Sequence, residues 1–270
     1  MKRVWLYGGL AVVAFYSLAP LLWQFVTSLT PEHELTTLPP LLPTRASTAH
    51  YLAVLGDHPL ARIIANSLIV AAGTTALALA AGSLAAFALA KLPVRGKALI
   101  LLAVLATSMF PPIATVSPLY LLIVGLGLRD TLLALVLVYT SFSLPLAIWL
   151  LTAFLHQIPD ELYRAARVDG CTPLQAFRRV LLPLSVPGLV ATGLLVFIAA
   201  WNEFLYALTF TSTTASRTVP VEIAQFPGLH EVPWGEIAAA TITVIIPLVV
   251  IAFLFQRRIV AGLTTGAVKE

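Results

Sequence analysis

Residues Asp160–Pro183 read DELYRAARVDGCTPLQAFRRVLLP, the one long polar interval between two strongly apolar blocks on the side where basic residues collect. The interval predicts two short helices with a hinge. Asp160, following Pro159, is placed to cap the first helix, and Gly170 to end it in a left-handed conformation. Thr172-Pro173 restarts a helix, with Gln175 positioned to complete a capping box. Pro183 then stops the second helix. The first helix presents Leu162, Ala165, Ala166 and Asp169 at helical spacing, with Arg164 and Arg167 off that face. Two alanines followed by Gly170 let another backbone come close, and four arginines offer charge-assisted contacts to acidic groups. An interfacial amphipathic helix whose arginines attract anionic lipid fits the same residues.

Outward from this interval the chain is apolar. Of its 270 residues 59% are hydrophobic and 10% charged, against roughly 25% charged in a soluble domain. The hydropathy therefore predicts membrane spans, at about 4–29, 63–90, 98–124, 131–155, 184–210 and 237–255, with the loop 156–183 between the fourth and fifth. Each is long enough to cross a hydrocarbon core about 30 Å thick. The basic start Met1-Lys2-Arg3 precedes an apolar run too long for a signal peptide, so the first span is expected to be retained.

Six spans place both termini on one side. Lys2, Arg3, Lys91, Arg95, Lys97, Arg164, Arg167, Arg178, Arg179, Arg257, Arg258 and Lys269 fall there; only Arg45, Arg62, Arg129 and Arg217 fall opposite. Twelve against four predicts that the termini and the 160–183 interval are cytoplasmic. Basic residues in short clusters between apolar blocks argue against nucleic-acid binding, despite the net charge of +4. The single cysteine, Cys171, excludes an internal disulfide, and no Cys/His cluster has metal-site spacing. The histidines, His33, His50, His58, His156 and His230, read as solvated.

Phe110-Pro111-Pro112, Pro118 and Pro145 interrupt the third and fourth spans, either as packed kinks or as kinks lining a water-filled path. In the fifth span Trp201, Asn202, Glu203 and Tyr206 stand out, because an ionisable group inside a span is costly. They read either as a sugar-binding set or as an aromatic belt with Glu203 paired to a neighbouring helix. No phosphate-binding G-x-x-x-x-G-K-[ST] loop is present.

Residues 158–188 resemble the coupling loop of permease subunits of binding-protein-dependent ABC importers. That family has E-A-A, three residues, Gly, nine residues, then a branched apolar residue, any residue and Leu-Pro. Ala165, Ala166, Gly170, Val180, Leu182 and Pro183 match, and Asp169 fits; Arg164 stands where the family has glutamate, with Glu161 one turn earlier. Asn66-Ser67, Phe110-Pro111-Pro112, Trp201-Asn202-Glu203-Phe204 and the tail Val260-Ala261-Gly262-Leu263 with Gly266-Ala267-Val268-Lys269 resemble the carbohydrate branch, specifically the smaller six-span maltose-type permease.

The resemblance implies an all-α, six-span type I importer permease in a bacterial inner membrane, paired with a second homologous permease. Two ATPase subunits would hold ATP and magnesium, with no cofactor in this chain and no enzymatic activity of its own. An extracytoplasmic solute-binding protein would deliver a sugar. It implies ATPase coupling through Glu161, Leu162, Arg164, Ala165, Ala166, Arg167, Asp169, Gly170, Pro173 and Phe177. It also implies a substrate path along Asn66, Phe110, Trp201, Asn202, Glu203 and Tyr206. The loop Thr211 to Glu236 would reach toward the binding protein, and the tail toward the ATPases. The competing readings are an ion-coupled secondary transporter, for which Glu203 is the strong candidate, an importer for a solute such as glycerol-phosphate, and a membrane enzyme, for which the spans lack convergent polar residues.

Overall fold

The computed structural model describes residues 2–35, 43, 45–226 and 232–264, with backbone alone for 2–4, 57 and 257–264. The expected loop residues Pro227, Gly228, His230 and Glu231 and the tail residues Gly266 to Lys269 lie outside the described residues.

The described chain is helical throughout, without a strand. Four single helices are long and apolar enough to cross a membrane, Trp5–Leu29, Leu60–Lys91, Leu132–Gln157 and Trp234–Gln256. Two further candidates are bent pairs, Lys97–Thr107 with Pro112–Gly125 at 86° and Pro173–Leu184 with Val186–Trp201 at 78°. Six spans result if each pair is one.

The third span is broken at Phe110-Pro111-Pro112, as its sequence predicts, because Pro111 and Pro112 remove two backbone donors. The chain turns there and restarts with Pro112 at the first helical position, where its missing N–H costs nothing. The fifth, by contrast, departs from one rod over 184–210. Its helix ends at Trp201 and resumes as Leu205–Phe210.

Pro183 does not stop the second helix of the opening interval. Helix continues through Phe177–Leu181 as a π turn and on to Leu184. An α-helical proline at 183 would press its ring on the Arg179 carbonyl; the wider π turn relieves that clash. The break comes two residues later, at Ser185, whose N–H and hydroxyl both donate to the Leu181 carbonyl.

Cα proximity divides the chain into two compact units, residues 1–64 with 219–249, and residues 65–218 with 250–270. In the first, the helix Ala49–Asp57 is tied back to the first span by Tyr51, whose hydroxyl lies 2.7 Å from Ser28 Oγ, and by His50, whose Nε2 lies 2.9 Å from the Thr30 carbonyl. His50 is therefore buried, not solvated. His58 stacks on Phe226 at 4.2 Å, with Glu222 and Glu236 within 4 Å of its two ring nitrogens.

In the second unit small residues let the second and fourth spans approach. A methyl group on Gly82 would sit 3.1 Å from Ala147 Cβ, the close helix contact that drives association in lipid. Toward the Lys91 end, Ala86, Phe87, Ala90, Leu151 and Leu155 form one core cluster with Phe177 and Leu181. The polar interval is thus packed into the helix bundle by its own apolar residues.

Candidate functional site

The interval folds as the spacing predicts in its hinge. The first helix runs Asp160–Val168. Gly170 takes φ +85°, its N–H donates to the Arg167 carbonyl, and the Cys171 N–H donates to the Ala166 carbonyl. This pair of bonds is a Schellman closure, which requires a left-handed residue at 170. Thr172 and Gln175 form the reciprocal capping box of the helix Pro173–Ala176. Arg167 donates to the Cys171 carbonyl and braces the same hinge.

Asp160 is not the cap. Pro159 occupies that position without a side-chain bond, and Asp160 is the first helical residue. Its carboxylate instead accepts from Lys91 Nζ at 2.6 Å, and the same ammonium donates to the Ile158 carbonyl at 2.6 Å. The Lys91 side chain is 1% exposed. The hydrogen bond and charge of Lys91, with help from Arg164, hold the Asp160 carboxyl below the usual carboxylate range. Lys91, from the sequence one charge in a basic turn, thus ties the end of the second span to the start of the helix Asp160–Val168.

The structure sorts the expected coupling residues into two sets. Glu161, Leu162, Arg164, Ala165, Arg167, Asp169, Gly170 and Pro173 are exposed. Ala166 and Phe177 are not; they face the bundle, and the Phe177 ring lies 4.9 Å from that of Phe87. Phe177 anchors the loop to the second and fourth spans, and neither side chain lies on the chain's own surface. Val168, 86% exposed, and Leu174, 51% exposed, are not among the expected residues and add apolar surface on the free side. Their signal was available, since Val168 interrupts an otherwise polar run.

The two helix breaks meet further along the second unit. The Tyr206 hydroxyl lies 2.7 Å from Thr115 Oγ1 and 3.3 Å from the Pro112 carbonyl, so the restarted part of the fifth span is fastened to that of the third. Glu203 caps Leu205–Phe210 by accepting from the Tyr206 and Ala207 N–H groups at 2.9 and 3.2 Å. A cavity of about 170 Å³ lies against this break, lined by Tyr139, Phe142, Ser143, Ala199, Glu203 and Tyr206 among others.

Of the expected path residues only Glu203 and Tyr206 share that cavity. Trp201 is buried and stacked on Phe197 at 6.0 Å. The Asn202 amide donates back to the Ile198 carbonyl. Phe110 stands exposed in the third-span break. Asn66 is buried and donates to the Thr214 and Arg217 carbonyls at 3.2 and 2.9 Å.

Asn66 belongs to a clamp on residues 211–218. Its other half is Asp130, at φ +60°. The Asp130 carboxylate accepts from the Ser212 and Thr213 N–H groups at 2.7 and 3.1 Å, from the Thr213 hydroxyl at 2.8 Å and from Ser216 Oγ. Burial pushes its carboxyl up, but the bonds from Ser216, Ser212 and Thr213 together outweigh that and hold it well below the carboxylate range. A depressed carboxylate stabilises above its ordinary pKa, and that stabilisation is lost only as pH falls through the lowered folded value. The clamp therefore persists in mild acid.

Apolar helices of membrane-crossing length, two bent helix pairs, a small cavity beside one break and an exposed, hinged helical pair are features that fit a membrane permease. Residues 78–265 match the binding-protein-dependent transport system inner membrane component family, and the chain belongs to it. It is 45% identical over 260 residues to the trehalose transport system permease protein SugB of Mycobacterium tuberculosis, covering 96% of this chain and 94% of that one. It is 41% identical to the trehalose/maltose transport system permease protein MalG of Thermococcus litoralis, over 100% of this chain and 98% of that one. Identity is 40% to the sulfoquinovosyl glycerol transport system permease protein SmoH of Agrobacterium fabrum, over 96% and 91%. Its fold is similar, at TM-score 0.79, 22% identity and 95% coverage of both chains, to a chain from the structure of a bacterial ABC transporter involved in the import of the acidic polysaccharide alginate.

Proposed function

We propose that this chain is the transmembrane subunit of an ATP-driven sugar importer. It forms the translocation path with a second permease and draws energy from ATPase subunits docked on residues 160–183. The termini and this loop face the cytoplasm, as the basic-residue count favours, and an external binding protein delivers the sugar. The relatives named for trehalose, maltose and sulfoquinovosyl glycerol support a glycoside as cargo.

The observation that carries the coupling role is the construction of the loop. Its free side exposes Leu162, Val168 and Leu174 beside arginines, while Phe177 and Lys91 fasten its other side to the spans. A surface so built takes a partner on one face and passes displacement to the helices on the other. A lipid-surface helix needs no such fastening.

The test is co-purification. From its native host in mild detergent, the tagged chain is expected to retain ATPase subunits and a second permease. Changing Val168 and Leu174 to aspartate together is expected to release the ATPases while keeping the permease. Recovery of the chain with no ATPase from cells expressing the whole system contradicts the reading.

A further inference from the structure

Asp130 stands on a rigid base. It lies in the turn between the third and fourth spans, one residue before Thr131, whose hydroxyl caps Leu132–Gln157 by accepting from the Ala134 N–H. The same hydroxyl donates to the Leu128 carbonyl, and the Leu128 N–H donates to that of Ile123. The turn is therefore built into two helix ends, and a side chain carried on it is well fixed.

The segment that Asp130 grips has no such support of its own, for residues 211–218 form no helix. The Asp130 N–H donates to the Phe210 carbonyl at 2.9 Å, at the entry to the segment. Its Oδ1 accepts from the Ser212 and Thr213 N–H groups and from Ser216 Oγ, and its Oδ2 from the Thr213 hydroxyl. Arg129 Nη2 donates to Ser212 Oγ at 3.2 Å, and Asn66, from the helix Leu60–Lys91, holds the Thr214 and Arg217 carbonyls. Thr211, Ser216 and Thr218 are buried, while Ser212, Thr213, Thr214 and Ala215 stand exposed. These small, uncharged residues are presented as one fixed turn.

The chain belongs to a binding-protein-dependent family, so a soluble partner must land on its outer face. The turn lies on the side opposite the basic loops, which is that face. A preformed turn meets a partner without first having to be ordered, and ordering on binding lowers affinity. Serine and threonine suit a partner that comes and goes in water, whereas a permanent interface with a second permease is more apolar. Resting on the reading of the chain as an importer's permease, we infer that residues 212–215 are a docking contact for the external binding protein and that Asp130 is the positioning residue that presents them.

The test uses the complete importer in proteoliposomes and titrates in its own binding protein, loaded with trehalose or maltose. The ATPase rate is read against binding-protein concentration, which separates the half-saturating concentration from the maximal rate. Asp130→Gly accepts φ +60° without strain but removes every side-chain bond. It is expected to raise the half-saturating concentration roughly three- to tenfold, the worth of one hydrogen bond, with the maximal rate unchanged. Asp130→Asn is expected to stay near the wild type. Its carbonyl keeps the Oδ1 bonds, and the Thr213 hydroxyl turns to accept from its amide. Ala215→Arg, whose side chain lies outside the clamp, is expected to raise the half-saturating concentration as well.

A wild-type value in Asp130→Gly assigns the residue to the backbone turn alone and overturns the positioning role. Equal loss in Asp130→Asn and Asp130→Gly assigns the effect to charge and overturns it too. A wild-type value in Ala215→Arg overturns the docking contact. So does a fall in maximal rate with the half-saturating concentration unmoved, which places the segment in the transport step. Absence of stimulation by the binding protein in the wild type overturns the importer reading itself, and the contact with it.

Discussion

Replacing Lys91 by methionine is expected to uncouple ATP hydrolysis from transport, with sugar uptake falling more than tenfold while the ATPases continue to turn over. The side chain is almost fully enclosed and its ammonium makes two bonds of 2.6 Å, to the Asp160 carboxylate and the Ile158 carbonyl. A hydrogen bond to a charged group contributes about 1.5–3 kcal/mol, so losing the carbonyl contact alone is a large local change. Methionine fills the same channel but leaves the Ile158 carbonyl without its donor. The coupling helix then keeps its packing through Phe177 but loses its link to the end of the second span.

Arginine is a poor substitute here, since its planar fork does not present a point charge at the end of a flexible stem. Asp160→Asn is expected to have the smaller effect, because the Asp160 side chain is 59% exposed and water replaces much of what the lysine gave. The pair is also robust to acid. The lowered Asp160 pKa means that its contribution is present above the ordinary carboxylate value and is lost only as pH falls through the folded one. Uptake and ATP hydrolysis measured together on the two variants check the order. Equal loss in both assigns the effect to the charge pair rather than to the lysine bridge.

Replacing Gly170 by valine is expected to abolish productive docking of the ATPases with little change in the stability of the bundle. Space is not the obstacle, for an added Cβ at 170 meets nothing within 4 Å. The backbone is the obstacle: φ +85° costs a β-branched residue about 1–2 kcal/mol or more. To escape that strain the chain must give up the Schellman bonds from Gly170 and Cys171, and with them the angle between the helices Asp160–Val168 and Pro173–Ala176. Asparagine, which tolerates the left-handed region, is expected to restore much of the activity. The discriminating measurement is ATPase retention on the purified permease pair. A valine variant that binds ATPase and transports normally removes the hinge from the mechanism.

The sequence carried the apolar blocks, the hinge at Gly170 and the capping box of Thr172 with Gln175, but not the start of the first helix, because each of the former depends on neighbours within a few residues. Apolar blocks, Gly170 after the paired alanines, and Thr172 with Gln175 are local signals. What was not legible depends on partners far along the chain. Lys91 meets Asp160 across 69 residues, and nothing in KLPVRGK distinguishes it from a charge facing the membrane surface.

Tyr139 sits in a run of leucine and valine, where a tyrosine reads as ordinary packing, and its place on the cavity wall with Glu203 comes from the fold. Asn66 was matched to a path and is instead bonded to the carbonyls of a loop about 150 residues away. Pro183 was read by the usual rule, and the π turn over Phe177–Leu181 evaded it. Trp201 and Glu203 lie two residues apart, but the helix ends between them, so one is sealed in the core and the other faces the cavity.

On the proposed function, this chain moves sugar only when an ATPase acts through residues 160–183. The direct measurement is uptake of labelled trehalose or maltose into proteoliposomes with the two permeases alone, then with ATPase, binding protein and ATP. No accumulation is expected in the first case and ATP-dependent accumulation in the second, lost again with the Lys91→Met chain. Accumulation by the permeases without any ATPase contradicts it.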